Sequence, residues 1–238
     1  MNIILFDKGV RRFEPSDQRY VHIRDVLSLG VGDTFTAGEY NACRGLATIT
    51  RFDADGLDFS FQEGPYDGRL HPLTLLLASV RPICMKRILR EVVSLGVGRI
   101  VVTGSALGEK SYLSSGLYRS DEHLEIMRSG AMQSGHTGLS TIEFVPSLEK
   151  AASMCAQGAH AVLLDIDADA RPLSSMDLSG DAVTLAIGGE RGWSDDERGL
   201  FRRLGYVTAS MGDRILRSET AAVAGVALAL SRMPSTGV

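Results

Sequence analysis

Leu73-Thr74-Leu75-Leu76-Leu77-Ala78-Ser79-Val80 is a near-continuous apolar run with the length of a single strand. Such a run is expected of a parallel strand covered on both faces, since an antiparallel strand with one wet face would alternate. Pro82 follows and opens a helix of about 14 residues, on which Ile83, Ile88, Val92, Leu95 and Val97 recur near helical spacing. Gly96 and Gly98 end it, and residues 99–103 form the next strand. Downstream the alternation continues. A helix is expected at 121–134, a strand at 142–145, a helix at 147–157 and a strand at 161–165. A strand at 182–187, a helix at 195–204, a loop and a helix at 219–232 complete the pattern. Strands alternating with helices define an α/β domain with a largely parallel sheet.

Upstream the texture differs. Residues 34–36, 47–50 and 57–61 are β-rich with partial alternation, and Gly30, Gly32-Asp33, Gly38, Gly45 and Asp55-Gly56 supply turns between them. One helix interrupts this pattern, from Ser16 as N-cap through Ser28, with Tyr20, Ile23, Val26 and Leu27 on one face. This is the pattern of a small β-barrel. Gly and Pro cluster at Glu63-Gly64-Pro65-Tyr66-Asp67-Gly68, which predicts a boundary between a domain at 1–68 and one at 69–238.

Composition narrows the function. The chain has 238 residues, 25 Lys plus Arg against 29 Asp plus Glu, and a net charge of −4, which argues against coating nucleic acid by bulk charge. The apolar runs at 75–80 and 221–230 fall well short of the roughly 18 residues a membrane helix needs. No basic n-region opens the chain, so no signal peptide is expected. Cys43, Cys84 and Cys155 are dispersed, which points to a reducing cytoplasm and to no disulfide framework. The five histidines are scattered too, and no metal site is expected.

Ligands of such folds bind at the carboxyl ends of parallel strands, and two loops there stand out. Ile187-Gly188-Gly189-Glu190-Arg191-Gly192-Trp193-Ser194 follows an apolar strand, and its three glycines admit close approach of a ligand to the backbone. It is neither GxGxxG nor a Walker loop, and a plain strand-to-helix turn is the structural alternative. Met211-Gly212-Asp213-Arg214-Ile215-Leu216-Arg217-Ser218-Glu219-Thr220-Ala221 leads into an almost featureless apolar helix. Ser218 as N-cap and Glu219 near the helix start suit capping. Arg214 and Arg217 do not, because cations are unfavourable at a helix N-terminus unless an anion meets them.

These two loops, in this order, resemble the SPOUT class of RNA methyltransferases and, more narrowly, the family of ribosomal RNA small subunit methyltransferase E. The family pattern is Ile-Gly-Pro-Glu-Gly-Gly-Phe-Ser, then Leu-Gly-x-x-Ile-Leu-Arg-x-Glu-Thr-Ala. The chain keeps Gly188, Glu190 and Gly192, with Gly189 for the proline and Arg191 for the next glycine. The second pattern is close to complete. Near the start, His22-Ile23-Arg24-Asp25-Val26-Leu27 and Gly32-Asp33 look like the family's His-x-x-x-Val-Leu-Arg and Gly-Asp pair, with Ser28 in place of the arginine. Ser94-Leu95-Gly96-Val97 and Gln133-Ser134 are similar to further family stretches, with His136 where arginine commonly follows. Arg81-Pro82 and Lys110-Ser111-Tyr112 look like a divergent branch.

The resemblance implies a PUA-like N-terminal barrel that binds RNA, followed by a SPOUT domain whose parallel sheet carries a trefoil knot. It implies S-adenosyl-L-methionine as methyl donor, with no metal, held by Leu164, Gly188, Gly189, Glu190, Gly192, Met211, Gly212, Ile215 and Leu216. The reaction implied is methyl transfer to N3 of one uridine in 16S ribosomal RNA, by a cytoplasmic homodimer acting on that RNA or on the small subunit. Arg217, Glu219 and Arg214 are the catalytic candidates. Arg217 would hold the base or the adjoining phosphate, Glu219 would accept a proton or orient Arg217, and Arg214 would meet the backbone.

Local charge agrees with an RNA partner despite the net balance. Residues 81–99 and 198–217 each carry a local charge of +4. Arg11, Arg12 and Arg24 near the start, with Arg81 and Lys86, are the candidate phosphate contacts, although solvated helix faces would look the same. Two alternatives remain open at this point. One is a SPOUT methyltransferase acting on a different RNA, as Gly189, Arg191, Ser28 and His136 would suit. The other is a non-catalytic RNA-binding or ribosome assembly factor.

Overall fold

The computed structural model describes residues 2–166, 170–180 and 182–234. The chain divides into two compact units, Met1–Arg69 with Ala131–Leu139, and Leu70–Gly130 with Ser140–Val238.

The first unit contains β1 (Ile4–Phe6), β2 (Arg12–Phe13), α1 (Gln18–His22), β3 (Thr34–Glu39), β4 (Cys43–Asp53) and β5 (Gly56–Tyr66). They form a five-stranded mixed sheet in the order β1-β3-β4-β5-β2, with β1 parallel to β3 and the other pairs antiparallel. Alternate residues Phe35 and Ala37, Ala47 and Ile49, and Leu57 and Phe59 point inward, as the two-residue period of a half-covered sheet requires. Phe6, Phe13 and Phe59 fill the centre, with ring centroids 4.9–6.3 Å apart. The run 131–139 belongs here because its backbone completes this unit's hydrogen bonds. Ile3 donates to Met132, Asn41 donates to the Thr137 carbonyl, and the Thr137 hydroxyl donates to the Ala42 carbonyl at 2.8 Å.

Three local expectations change in this unit. The N-cap of α1 is Asp17 rather than Ser16, and its carboxylate accepts the Arg19 amide at 2.8 Å. The helix then widens into a π-turn over Ile23–Leu27 that stops at Ser28, whose φ is +53°. That widening turns later residues off the 3.6-residue stripe. Tyr20 and Ile23 are buried as expected, but Val26 and Leu27 face solvent. Finally, residues 63–66, expected at the boundary between periodic segments, continue β5. Cys43 pairs with Tyr66 and Gly45 with Glu63, so Gly64-Pro65 is a bulge, where a strand tolerates proline.

The second unit contains β6 (His71–Ala78), α2 (Pro82–Ser94), β7 (Val97–Thr103), α3 (Gly116–Arg119), α4 (Glu122–Ser134), β8 (Thr141–Phe144), α5 (Leu148–Ala156), β9 (His160–Leu164), β10 (Arg171–Pro172), β11 (Val183–Ile187), α6 (Asp195–Arg203), β12 (Val207–Ser210) and α7 (Ser218–Arg232). The last four residues of α4 are counted with the first unit. All seven strands are parallel, in the order β10-β12-β9-β11-β6-β7-β8. β6 lies between β11 and β7 with Leu75, Leu76, Leu77 and Ala78 fully buried, as its apolar run requires. Leu76, Ala78, Val101, Leu163 and Ala186 pack with α5, Trp193, Phe201 and Tyr206. α7 lies against α2 and β11, and Gly225 lets it approach: a Cβ there would stand 2.7 Å from Leu164 Cδ1 and 3.2 Å from Leu185 Cδ2.

Here too there are corrections. The buried face of α2 is Met85, Ile88, Leu89, Val92 and Val93, which leaves Ile83 in the first turn exposed. Residues 207–210, expected in a loop, form β12 beside β9. The N-cap of α7 is Arg217, without a side-chain cap, and Ser218 is already its first, buried residue.

Candidate active site

Three loops leave the carboxyl ends of β9, β11 and β12 and enclose a cavity of about 370 Å3. That volume lies within the roughly 300–1,000 Å3 typical of small-molecule sites. Leu164, Gly188, Gly189, Glu190, Gly192, Met211, Gly212, Ile215 and Leu216 all line it, as does Arg214. Residues drawn from three separate stretches of sequence thus meet at one place.

The glycine loop is a tight turn. The Gly192 amide donates to the Gly189 carbonyl at 3.0 Å, and Gly192 has a φ of +67°, in the region L side chains avoid. A Cβ on Gly188 would stand 2.9 Å from Gly192 Cα, so the two sides of the turn touch through backbone alone. The Glu190 carboxylate accepts the Arg81 amide at 3.0 Å, which ties the turn to the start of α2. Trp193 is buried edge-on against Phe201, with centroids 4.9 Å apart. Ser194 then caps α6 in a complete capping box with Glu197.

Several lining residues were not among the leading candidates. Asp165 is largely buried and holds Arg198 through Nε and Nη2, at 2.5 and 3.3 Å. Both residues line the cavity, with Ala209, Ser218, Ala221 and Arg191. Asp165 was expected beside Leu164 as a weaker donor contact and does line the cavity, whereas Ala209 carries no local signal because it lies in β12, a stretch expected as loop. Ser194-Asp195-Asp196-Glu197, by contrast, carries the S-x-x-E capping signal openly.

Arg217 and Glu219 stand at the start of α7, outside the cavity lining. Arg217 is exposed, and neither it nor Arg214 forms a salt bridge among the described residues. Glu219 is 20 % exposed and lies 3.9 Å from Arg87 of α2. Its own backbone amide, the Cys84 thiol and the charges of Arg217 and Arg87 hold its carboxyl below the ordinary range. Burial, and then the Glu219 carboxylate, raise the Cys84 thiol in turn. An anionic Glu219 flanked by two arginines is therefore the resting arrangement.

The phosphate-contact candidates sit differently. Arg11 pairs with buried Glu39 at 3.2 Å and lies over the Phe6 and Phe61 rings. Arg12 pairs with Glu14 and Asp58, and Arg24 with Asp25. Lys86 pairs with Glu122, while Arg81 is the N-cap of α2 and its amide donates to Glu190. A second cavity, of about 550 Å3, lies beside the ends of β6 and β7, lined by Ser79, Gly104, Ser105, Leu113 and Glu197 among others. Among the described residues no group of three or more His, Cys, Asp or Glu is placed to hold a metal ion, and no helix is long and apolar enough to cross a membrane.

The cavity lies where the two loops that resemble RNA methyltransferases meet, and comparison with known proteins gives that same class. A profile described as RNA methyltransferase domain matches residues 68–230. The chain is 38% identical to ribosomal RNA small subunit methyltransferase E of Treponema pallidum, over 97% of this chain and 91% of that one. It is 25% identical to ribosomal RNA small subunit methyltransferase E 1 of Borreliella burgdorferi, over 98% and 99%. The crystal structure of ribosomal RNA small subunit methyltransferase E from Neisseria gonorrhoeae, bound to S-adenosyl methionine, superposes with a TM-score of 0.81 over 97% of both chains, at 20% identity. The chain belongs to the ribosomal RNA small subunit methyltransferase E family of RNA methyltransferases.

Proposed function

We propose that the protein transfers a methyl group from S-adenosyl-L-methionine to N3 of one uridine in 16S ribosomal RNA. The observation that carries this reading is the convergence of nine candidate donor residues on one cavity, next to Arg214 and Arg217, which form no salt bridge among the described residues. The cavity suits the donor: Gly188 and Gly192 leave backbone groups open to an adenosine, and Asp165, Arg198 and Arg191 offer polar contacts to its charged end. When bound, S-adenosyl-L-methionine supplies a methyl group already activated by its sulfonium charge. The chain's own task is then mostly alignment and charge. Uracil N3 must lose a proton, and Arg217 would stabilise the resulting anion. Glu219, kept ionised beside Arg217 and Arg87, orients the arginine or takes the proton. Arg214 meets the RNA backbone.

In this reading residues 1–68 are a PUA-like RNA-binding barrel, and residues 69–238 a SPOUT domain with a trefoil knot that acts as a cytoplasmic homodimer. Arg11, Arg12, Arg24, Arg81 and Lys86 are proposed phosphate contacts along the RNA. Arg191, lining the cavity where the family pattern has glycine, favours a second reading in which the target RNA differs.

Mass-spectrometric mapping of modified nucleosides in ribosomal RNA from cells lacking the gene tests both. Loss of N3-methyluridine from 16S RNA supports the first reading. Its undiminished persistence, with another methylated nucleoside missing, supports the second.

A further inference from the structure

Glu197 does more than the capping box requires. One carboxylate oxygen accepts the Ser194 amide at 2.7 Å, which is the local cap. The other accepts the Ala106 amide at 2.7 Å, from a residue 91 positions away in the loop after β7. The residue is 8% exposed, and among the described residues no cationic side chain pairs with it. A carboxylate buried on backbone donors alone costs desolvation that a neutral cap would avoid. What the arrangement provides is a rigid tie, through two charge-assisted bonds, between separate segments.

One of those segments ends the glycine turn at Ser194, two residues after Gly192. The other, Gly104 to Gly108, lines the 550 Å3 cavity, as Glu197 itself does. Glu190 ties the tip of the same turn to α2 through the Arg81 amide. The turn is therefore held at its tip and at its end, by carboxylates that reach the loops after β6 and β7. We propose that Glu197 is a positioning residue for the methyl-donor site, fixing the glycine turn against the loop after β7. This rests on the donor reading of the smaller cavity.

Two variants test it, Glu197→Gln and Ala106→Pro. The first keeps the side chain's size but replaces one acceptor with an NH2 group that faces a donor. The second deletes the Ala106 N–H and leaves the α6 capping box whole. Donor affinity is measured by calorimetry with S-adenosyl-L-methionine, alongside steady-state kinetics on ribosomal RNA. Both variants are expected to raise the donor Kd and KM about tenfold, since small misplacements of binding groups are costly. At saturating donor, kcat should stay within about threefold of wild type. A merely structural role gives the opposite split, a lower kcat at unchanged donor KM through loss of folded enzyme, and that result overturns the proposal. Unchanged donor Kd in Ala106→Pro overturns it as well, even where Glu197→Gln fails to fold. A wild-type protein that does not bind the donor overturns the donor reading itself, which the calorimetry separates from failure in the variants alone.

Discussion

The arginines of the first unit and those of the loop before α7 look alike in sequence and are unlike in the fold. Arg11, Arg12 and Arg24 each lie beside a carboxylate of their own unit, and Arg11 and Arg24 also stack on aromatic rings. Arg214 and Arg217 form no salt bridge among the described residues, although the Arg217 charge acts on Glu219 from a distance. A paired arginine must leave its carboxylate before it can meet a phosphate; an unpaired one is ready. Counting charge along the sequence treats the two groups as equal, and partner geometry separates them.

The hardest test of that contrast is Arg217→Ala. Removing a preorganised charge from a developing anion typically costs about a hundredfold or more in turnover. The expected outcome is a loss of that size in kcat on ribosomal RNA, with donor affinity by calorimetry within about twofold because Arg217 lies outside the cavity lining. Full activity would remove Arg217 from the mechanism and break the contrast at its sharpest point.

Next in size is the turn that forms the cavity's wall. In Gly188→Ala the added Cβ meets the Gly192 backbone at 2.9 Å, and backbone cannot rotate away as a side chain does. Overpacking of this kind costs roughly 1–3 kcal/mol. Donor affinity should fall by about tenfold or more, with the far-UV dichroism unchanged. Wild-type affinity would mean that the turn is not part of the donor site.

How far the sequence foretold this follows from what each signal measures. The run at 73–80 identified β6 because double burial leaves no polar alternation to hide it. The start of α2 at Pro82 and the strands β3, β4 and β5 were legible for similar local reasons, whereas the short β1 and β2 were not expected. β12 was not, because Val207-Thr208-Ala209-Ser210 is four mostly small residues whose pairing with β9 is non-local. The π-turn was hidden as well, since its register depends on Ser28 adopting a left-handed conformation. The donor candidates, Asp165 weakly among them, came from motif resemblance, whereas the pairing of Asp165 with Arg198 and the second bond of Glu197 needed the tertiary structure. Partners 33 and 91 residues apart leave no periodic trace.

Salt dependence sharpens the comparison at lower cost to activity. Each phosphate contact adds about 0.7–0.9 to the slope of log affinity against log salt. Arg214→Ala should reduce the slope for RNA binding, measured by filter retention, by about that amount. Arg12→Ala and Arg24→Ala should each reduce it less, because those side chains are already engaged. Equal reductions in all three variants would show that intramolecular pairing does not keep an arginine from RNA.

The smallest effect concerns two helix starts that mirror the same contrast. α1 begins on Asp17, whose carboxylate accepts the Arg19 amide, while α7 begins on Arg217, with no side-chain cap. Burial works to raise the Asp17 carboxyl, but hydrogen bonds from the Arg19 side chain and backbone outweigh it, and its pKa lies below the ordinary value. A depressed carboxyl stabilises the fold above its unfolded pKa near 3.8 and loses that contribution as pH falls through the lower folded value. Asp17→Ala should therefore destabilise the protein by about 1 kcal/mol at neutral pH, as loss of an N-cap does, and by progressively less below pH 3.8. Arg217→Ser should do the reverse for α7. It supplies the missing cap and removes a cation from the positive end of the helix dipole, which is worth about 0.5–1 kcal/mol of added stability in denaturant unfolding. The same substitution should abolish turnover. A variant more stable and inactive would mean that Arg217 is kept at a position where the fold alone prefers serine, and a variant less stable would assign the arginine to the fold instead.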